Sequence, residues 1–120
     1  MEEQQMRTNT AATLYSRSVV SGSEVWARSV IPAVFWEQRK AANVIKSGLL
    51  EADKAAVYIP DISIAIKIGD MLVKGTADKV ISPSYTTSNL RADYEVIQVR
   101  SVDTMDYGSS HMQHIQVGGS

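Results

Sequence analysis

The chain contains no cysteine, which excludes a disulfide framework, a thiolate nucleophile and a cysteine-based zinc site, and fits a reducing compartment. It also lacks an excess of charge: 12 Lys+Arg stand against 13 Asp+Glu. A strongly basic nucleic-acid binder and an acidic solvating tail are thereby excluded, and protein contacts become the expected business of the surface. No run approaches the ~18 apolar residues of a membrane-spanning helix, and Met1-Glu2-Glu3-Gln4-Gln5-Met6-Arg7 is polar where a secretory leader would be basic and then apolar. A soluble, unprocessed protein without membrane contact is expected. At 120 residues the chain fits one domain that buries roughly two-thirds of its extended surface on folding, enough for a core without staples.

What is present is a succession of short segments rich in Val, Ile, Tyr and Trp, punctuated by Gly, Pro, Ser and Asp. Helical periodicity is weak. This pattern predicts an all-β fold, a small antiparallel β-barrel or sandwich with a long loop and a mobile N-terminal arm over residues 1–10, the single domain running over 11–120. Strands are expected at 13–20, 24–31, 33–40, 54–59, 62–68, 71–75, 94–102 and 111–117. Ser21-Gly22-Ser23 and Gly108-Ser109-Ser110 read as hairpin turns, because Gly supplies positive φ and Ser bonds locally to backbone. Pro32 lacks an amide donor and predicts a corner between two strands. Between Thr76 and Tyr94 the chain turns polar, with Ser88 or Asn89 as the cap of a single helical turn before Leu90; residues 78–89 form a candidate contact surface.

In Ile62-Ser63-Ile64-Ala65-Ile66-Lys67-Ile68 all four isoleucines fall on one face of an extended segment. Two readings stand: a half-buried strand of the barrel, or a ribbon whose apolar face meets a neighbouring subunit or a channel. Ile62, Ile64, Ile66 and Ile68 are therefore the candidate site residues.

No constellation carries catalysis. His111 and His114 sit three apart and point to opposite faces of the strand expected there, so they do not chelate as a pair. No Gly-x-Ser-x-Gly elbow, Gly-x-Gly-x-x-Gly or Gly-x-x-x-x-Gly-Lys-Ser/Thr loop occurs. The aspartates 53, 61, 70, 78, 93, 103 and 106 lie mostly at expected strand ends and turns, where short carboxylates bond to nearby amides. Trp26-Ala27-Arg28 and Phe35-Trp36-Glu37-Gln38-Arg39-Lys40 are the only stretches that place rings beside cations as a single-strand-binding barrel does, and in so aromatic-poor a chain they read first as core. No enzyme, cofactor or metal is expected.

Trp36, the run Gly48-Leu49-Leu50-Glu51-Ala52-Asp53 leading into Val57-Tyr58-Ile59-Pro60, the element Gly69-Asp70-Met71-Leu72-Val73-Lys74-Gly75 and the ending His111-Met112-Gln113-His114-Ile115-Gln116-Val117-Gly118-Gly119 resemble a family of small phage proteins encoded among head-to-tail genes. That family is similar in layout to minor capsid proteins of the head-closure or stopper type; Ile115 stands where its members usually carry Trp. The resemblance implies a structural virion protein, made in the bacterial cytoplasm and located in the neck. There it would form a homo-oligomeric ring between a portal or adaptor and the tail tube or tail-completion protein, with DNA passing through the channel without sequence-specific binding. A tail-completion or terminator role in the same connector, and a small single-stranded nucleic-acid-binding barrel, are the alternatives.

Overall fold

A computed structural model describes residues 7–38, 54–106, 108 and 112–120. Six strands, β1 (Thr10–Val20), β2 (Ser23–Gln38), β3 (Ala55–Ile59), β4 (Met71–Lys74), β5 (Val96–Met105) and β6 (His114–Gly119), close into an antiparallel barrel in the order β1-β2-β3-β6-β5-β4. One short helix, α1 (Thr87–Asp93), precedes β5. The all-β barrel expected from the sequence is thus what forms, and the sandwich alternative is not.

Period-two alternation builds the barrel. Leu14, Ile31, Trp36, Val57, Ile59, Leu72, Ile97, Ile115 and Val117 point inward and fill the interior as one buried cluster, as expected for a barrel of so few strands. β4 is apolar on both faces: Leu72 points into this cluster, while Met71 and Val73 point outward into a second one. There Tyr15, Ala77, Leu90 and Val96 join them under the segment that carries α1. Thr13 locks that outer layer to β1: its hydroxyl donates to Gly75 O at 2.9 Å and accepts from Ala77 N at 2.8 Å.

The turn from β1 to β2 has φ of 51° at Ser21 and 79° at Gly22. Two successive positive-φ residues give the mirror-image turn whose twist matches that of the flanking strands. Pairing then runs without slip from Val20↔Ser23 to Thr13↔Val30.

Several expectations are corrected. Segments 24–31 and 33–40 are one strand, continuous through Pro32; the described part ends at Gln38. Two steps of β1, Thr10 to Ala12, face three of β2, Val34 to Ile31, so the extra residue falls at Pro32-Ala33. Such a bulge accommodates the missing amide donor. Beyond it β2 leaves β1 and pairs β3, from Phe35↔Tyr58 onward. Asn9, placed in the arm by composition, is fixed to the barrel: its amide bonds reciprocally with the Trp36 backbone, Nδ2 donating to the carbonyl and Oδ1 accepting from the amide. The helix begins earlier than Ser88, capped by Thr86, whose side chain accepts from Asn89 N while Asn89 reaches back to the Thr86 amide. Residues 62–68 form no strand.

Candidate functional site

The segment with the four isoleucines connects β3 to β4, which are diametrically opposite in the six-strand order. To join them the chain has to cross one end of the barrel. It does so outside any ladder, turning at Ile62-Ser63 and Ile68-Gly69, and its alternation is real: Ile62, Ile64 and Ile66 pack against the interior cluster, while Ile68 is 67% exposed. The barrel end is thereby stoppered by its own connection. The strand expectation fails here because the barrel strands close their ladder among themselves, while the alternate facing of the isoleucines survives without one.

Asp70 fastens the end of this strap. Its carboxylate is fully buried and accepts from Arg17 N at 3.0 Å, Lys67 N at 3.0 Å and Lys67 Nζ at 2.9 Å. Arg17 N lies on the β1 edge just where β4 ends, at the Tyr15↔Met71 pair. The carboxylate therefore replaces the next strand for that amide. At the other end of the strap Asp61 makes the Asx turn expected of it, accepting from Ser63 N and Oγ, which holds its carboxyl below the ordinary range.

Past Tyr15 the β1–β2 hairpin runs on as a projecting two-stranded arm. Its two faces differ. On the outer face Arg17 Nε donates to Glu24, Trp26 Nε1 donates to Glu24 Oε1, and Arg28 Nε donates to Ala77 O. The Glu24 carboxyl is held below its usual range by Arg17 first and then by Trp26. The other face continues the barrel interior: by cross-strand register it presents Ser16 with Ala27, Ser18 with Val25, and Val20 with Ser23, and at its root the Lys67 ammonium lies 3.2 Å from Ser16 Oγ. Val20 and Val25 are 56% and 43% exposed.

A cleft of about 380 Å³ lies between the arm and the α1 segment, lined by Glu24, Val25, Trp26, Ile81, Ser82, Pro83, Thr86 and Thr87. Its carboxylate is already spent on Arg17 and Trp26, so it offers hydroxyls and an indole face rather than an acid–base pair.

On the wall formed by β2, β3 and β6, Phe35 and Tyr58 stack with ring centroids 6.0 Å apart, and Tyr58 stands 6.0 Å from His114. All three are outward-facing and half-buried, and Met112 beside them is 62% exposed.

Sequence-flagged residues are thus scattered rather than gathered. Trp36 is core and Trp26 packs against the outer cluster. His114 Nδ1 is 3.0 Å from Met112 O; His111 lies outside the described residues, as do residues 39–53 and with them Arg39, Lys40, Asp53 and the 48–53 run of the resemblance. Among the described residues no three His, Cys, Asp or Glu stand together as metal ligands, and no helix is long and apolar enough to cross a membrane. Residues 78–89 cover β4 and β5 through Ile81 and Tyr85. Composition could not reveal the aromatic wall, whose residues come from three separate strands.

The fold and surfaces define a small closed barrel with a projecting arm. Residues 7–120 match a family of unknown function, DUF6751, and the chain belongs to it. No curated protein and no solved structure matches the chain.

Proposed function

We propose that this protein is a structural component of a tailed-phage virion, forming the head-completion or stopper ring of the head-to-tail connector. It would sit between a portal or adaptor and the tail, made in the host cytoplasm and carried in the neck. The observation that carries the reading is the projecting hairpin arm, ordered by its turn and outer-face bonds, whose other face presents small side chains of its own and leaves Val20 and Val25 exposed. Isolated two-stranded ribbons are marginal in water, and an arm of this kind suits an assembly subunit better than a catalyst. The sequence resemblance supplies the particular assembly.

The barrel interior is filled with side chains and closed by the strap, so DNA would pass through the hole of a ring of copies and not through the barrel. Arg17 and Arg28, the cations beside Trp26, are both engaged. That favours the connector over the single-stranded nucleic-acid reading. Deleting the gene from the phage tests the proposal. Heads that package DNA and then lose it support the stopper role, whereas stable full heads with defective tails favour tail completion. Infective particles lacking the chain would refute both.

A further inference from the structure

The arm leaves one strand edge open. Arg17 N is bonded to Asp70 on the β4 side, so Arg17↔Trp26 is a pair that exchanges no backbone bonds, and the antiparallel alternation then turns N–H and C=O of Glu24, Trp26, Arg28 and Val30 away from β1. On that side, among the described residues, β2 meets no strand before Phe35. β3 stops at Ile59, and Pro60 leads the chain off into the strap. Pro32, which has no N–H, takes the next place in the row and ends it. Four residues over about 20 Å thus present their backbone groups at the spacing of a strand. Native edges are commonly guarded by Lys, Pro or a bulge, and Ser23-Glu24-Val25-Trp26-Ala27-Arg28-Ser29-Val30 has none of these. Its two charges, Glu24 and Arg28, are drawn across the outer face to Arg17 and to Ala77 O. The β1 edge of the arm is shorter, because Asp70 caps Arg17 and Val19 alone remains before the turn.

We infer that this edge of β2 binds an extended segment of a different protein by strand addition, with one apolar side chain of that segment seated in the cleft beside Trp26. Backbone groups hold such a strand, and a neighbouring hollow chooses among its alternate side chains. Here the hollow is lined by three successive edge residues, Glu24, Val25 and Trp26, and by Ile81, Pro83 and Thr87 from the α1 segment. A residue paired opposite Trp26 points to the same face as the indole, so its side chain is the one the hollow receives.

The chain cannot fill this edge itself. Residues 1–6 lead into β1 on the other side of β2, where Asn9 N bonds to Val34 O. The 15 residues 39–53 start from Gln38, eight positions beyond Val30, and return to Lys54 beside it. They span at most about 54 Å, and reaching Val30 and coming back takes about 52 Å, so none is left to pair. A second copy does not complete the site either. Two β2 edges paired antiparallel over Glu24 to Val30 set Arg28 opposite Trp26, and Arg28 is already held by Ala77 O of its own chain, which leaves the hollow unfilled.

Random linear 12-residue peptides, displayed and selected against the full chain, supply the probe. In the free chain the amides of Trp26, Arg28 and Val30 should exchange with solvent about tenfold or more faster than those of Val25, Ala27 and Ser29, which bond to β1. A selected peptide should slow the first three by a comparable factor and leave the second three unchanged. Val30→Pro removes a donor from the open edge and none from the β1 ladder, and should weaken the peptide about fivefold or more. Pro83→Glu sets a carboxylate at the exposed rim of the hollow and should weaken peptides with an apolar central residue, while leaving the barrel untouched. Thermal melts confirm that both variants fold, and the exchange pattern of the wild type needs neither. The inference is overturned if the three edge amides are protected in the free chain at every concentration, which would mean that the chain covers them itself. Protection that rises with chain concentration overturns it in favour of a second copy. A selection that yields no peptide, or peptides that bind the wild type and both variants equally, overturns it as well.

Discussion

Replacing Asp70 tests the idea that one carboxylate holds the strap, the barrel end and the base of the arm together. In Asp70→Ala three donors lose their acceptor: Arg17 N, Lys67 N and Lys67 Nζ. Hydrogen bonds to a charged group contribute about 1.5–3 kcal/mol each when buried. The two amides fall in that range, at its lower end because each regains some water once the carboxylate is gone. The ammonium adds less than about 1 kcal/mol, because the Lys67 side chain is 59% exposed. The sum is about 3–5 kcal/mol, the range found when one partner of a buried ion pair is removed.

A domain of this length unfolds with an entropy of about 0.25 kcal/mol/K, so each kcal/mol is about 4 °C in Tm. Asp70→Ala should then melt about 12–20 °C lower. Asp70→Asn should lie between it and the wild type. Its Oδ1 can still accept from Arg17 N and Lys67 Nζ, but its NH₂ is set against the donor Lys67 N. Lys67→Ala should cost less than about 1 kcal/mol. Scanning calorimetry gives the three values, and amide exchange should show Arg17 and Lys67 opening first in the Asp70 variants. A fall of under about 4 °C for Asp70→Ala would refute the assignment.

The strap makes a second prediction: Ile66→Ala should lose about 1–2.5 kcal/mol in urea denaturation, half the cost of a fully buried site, while Ile68→Ser should stay within about 0.5 kcal/mol of the wild type. Gly119→Ala should cost about 1–3 kcal/mol or more, because an added Cβ would collide with the Gln98 carbonyl oxygen; lost protection of the Ser120 amide, which bonds to Gln98 O, would show it by hydrogen exchange. Tyr85 is pushed up to about 12 from its ordinary 10.0, by loss of hydration and then by the hydrogen bond to Asp93. A raised folded value means that its contribution is fully present below pH 10 and is lost as the pH rises through 12; absorbance titration of the wild type against Tyr85→Phe should show it, with Asp93→Asn lowering the value. The isolated chain should show no measurable retention of single- or double-stranded DNA at physiological salt in a filter-binding titration, because 12 Lys+Arg against 13 Asp+Glu leave no excess of cations to drive counterion release.

The barrel was legible because alternation and turn chemistry are local. Ser21-Gly22 fixes its hairpin without help from the rest of the molecule, whereas the inward set of Leu14, Trp36, Val57 and Val117 needs the strand registers and the bulge at Pro32-Ala33 as well. The strap was half legible for the same reason: its alternation fixes which isoleucines share a face, but whether an extended segment finds a ladder partner is a question of topology. Asp70 looked like another turn aspartate, since its Gly69 neighbour is indeed a turn residue with φ of 100°. Only the fold brings Arg17 N, 53 positions away, to its carboxylate. The aromatic wall was invisible because Phe35, Tyr58 and His114 meet only through the β2–β3 and β3–β6 registers.

One set of isoleucines cannot serve both folding and assembly. Ile62, Ile64 and Ile66 rest on the interior cluster, and turning them toward a neighbour would unstop the barrel and expose Leu72 and Ile97 beneath. Of the four, Ile68 alone is free of that duty, and it lies next to Lys67, whose ammonium is 3.2 Å from Ser16 Oγ at the root of the arm. Among the described residues every buried side-chain polar atom has a partner, and two apolar clusters make up the core of the single chain. On the proposed connector reading, such a chain would enter the ring already folded, since its own side chains bury its core.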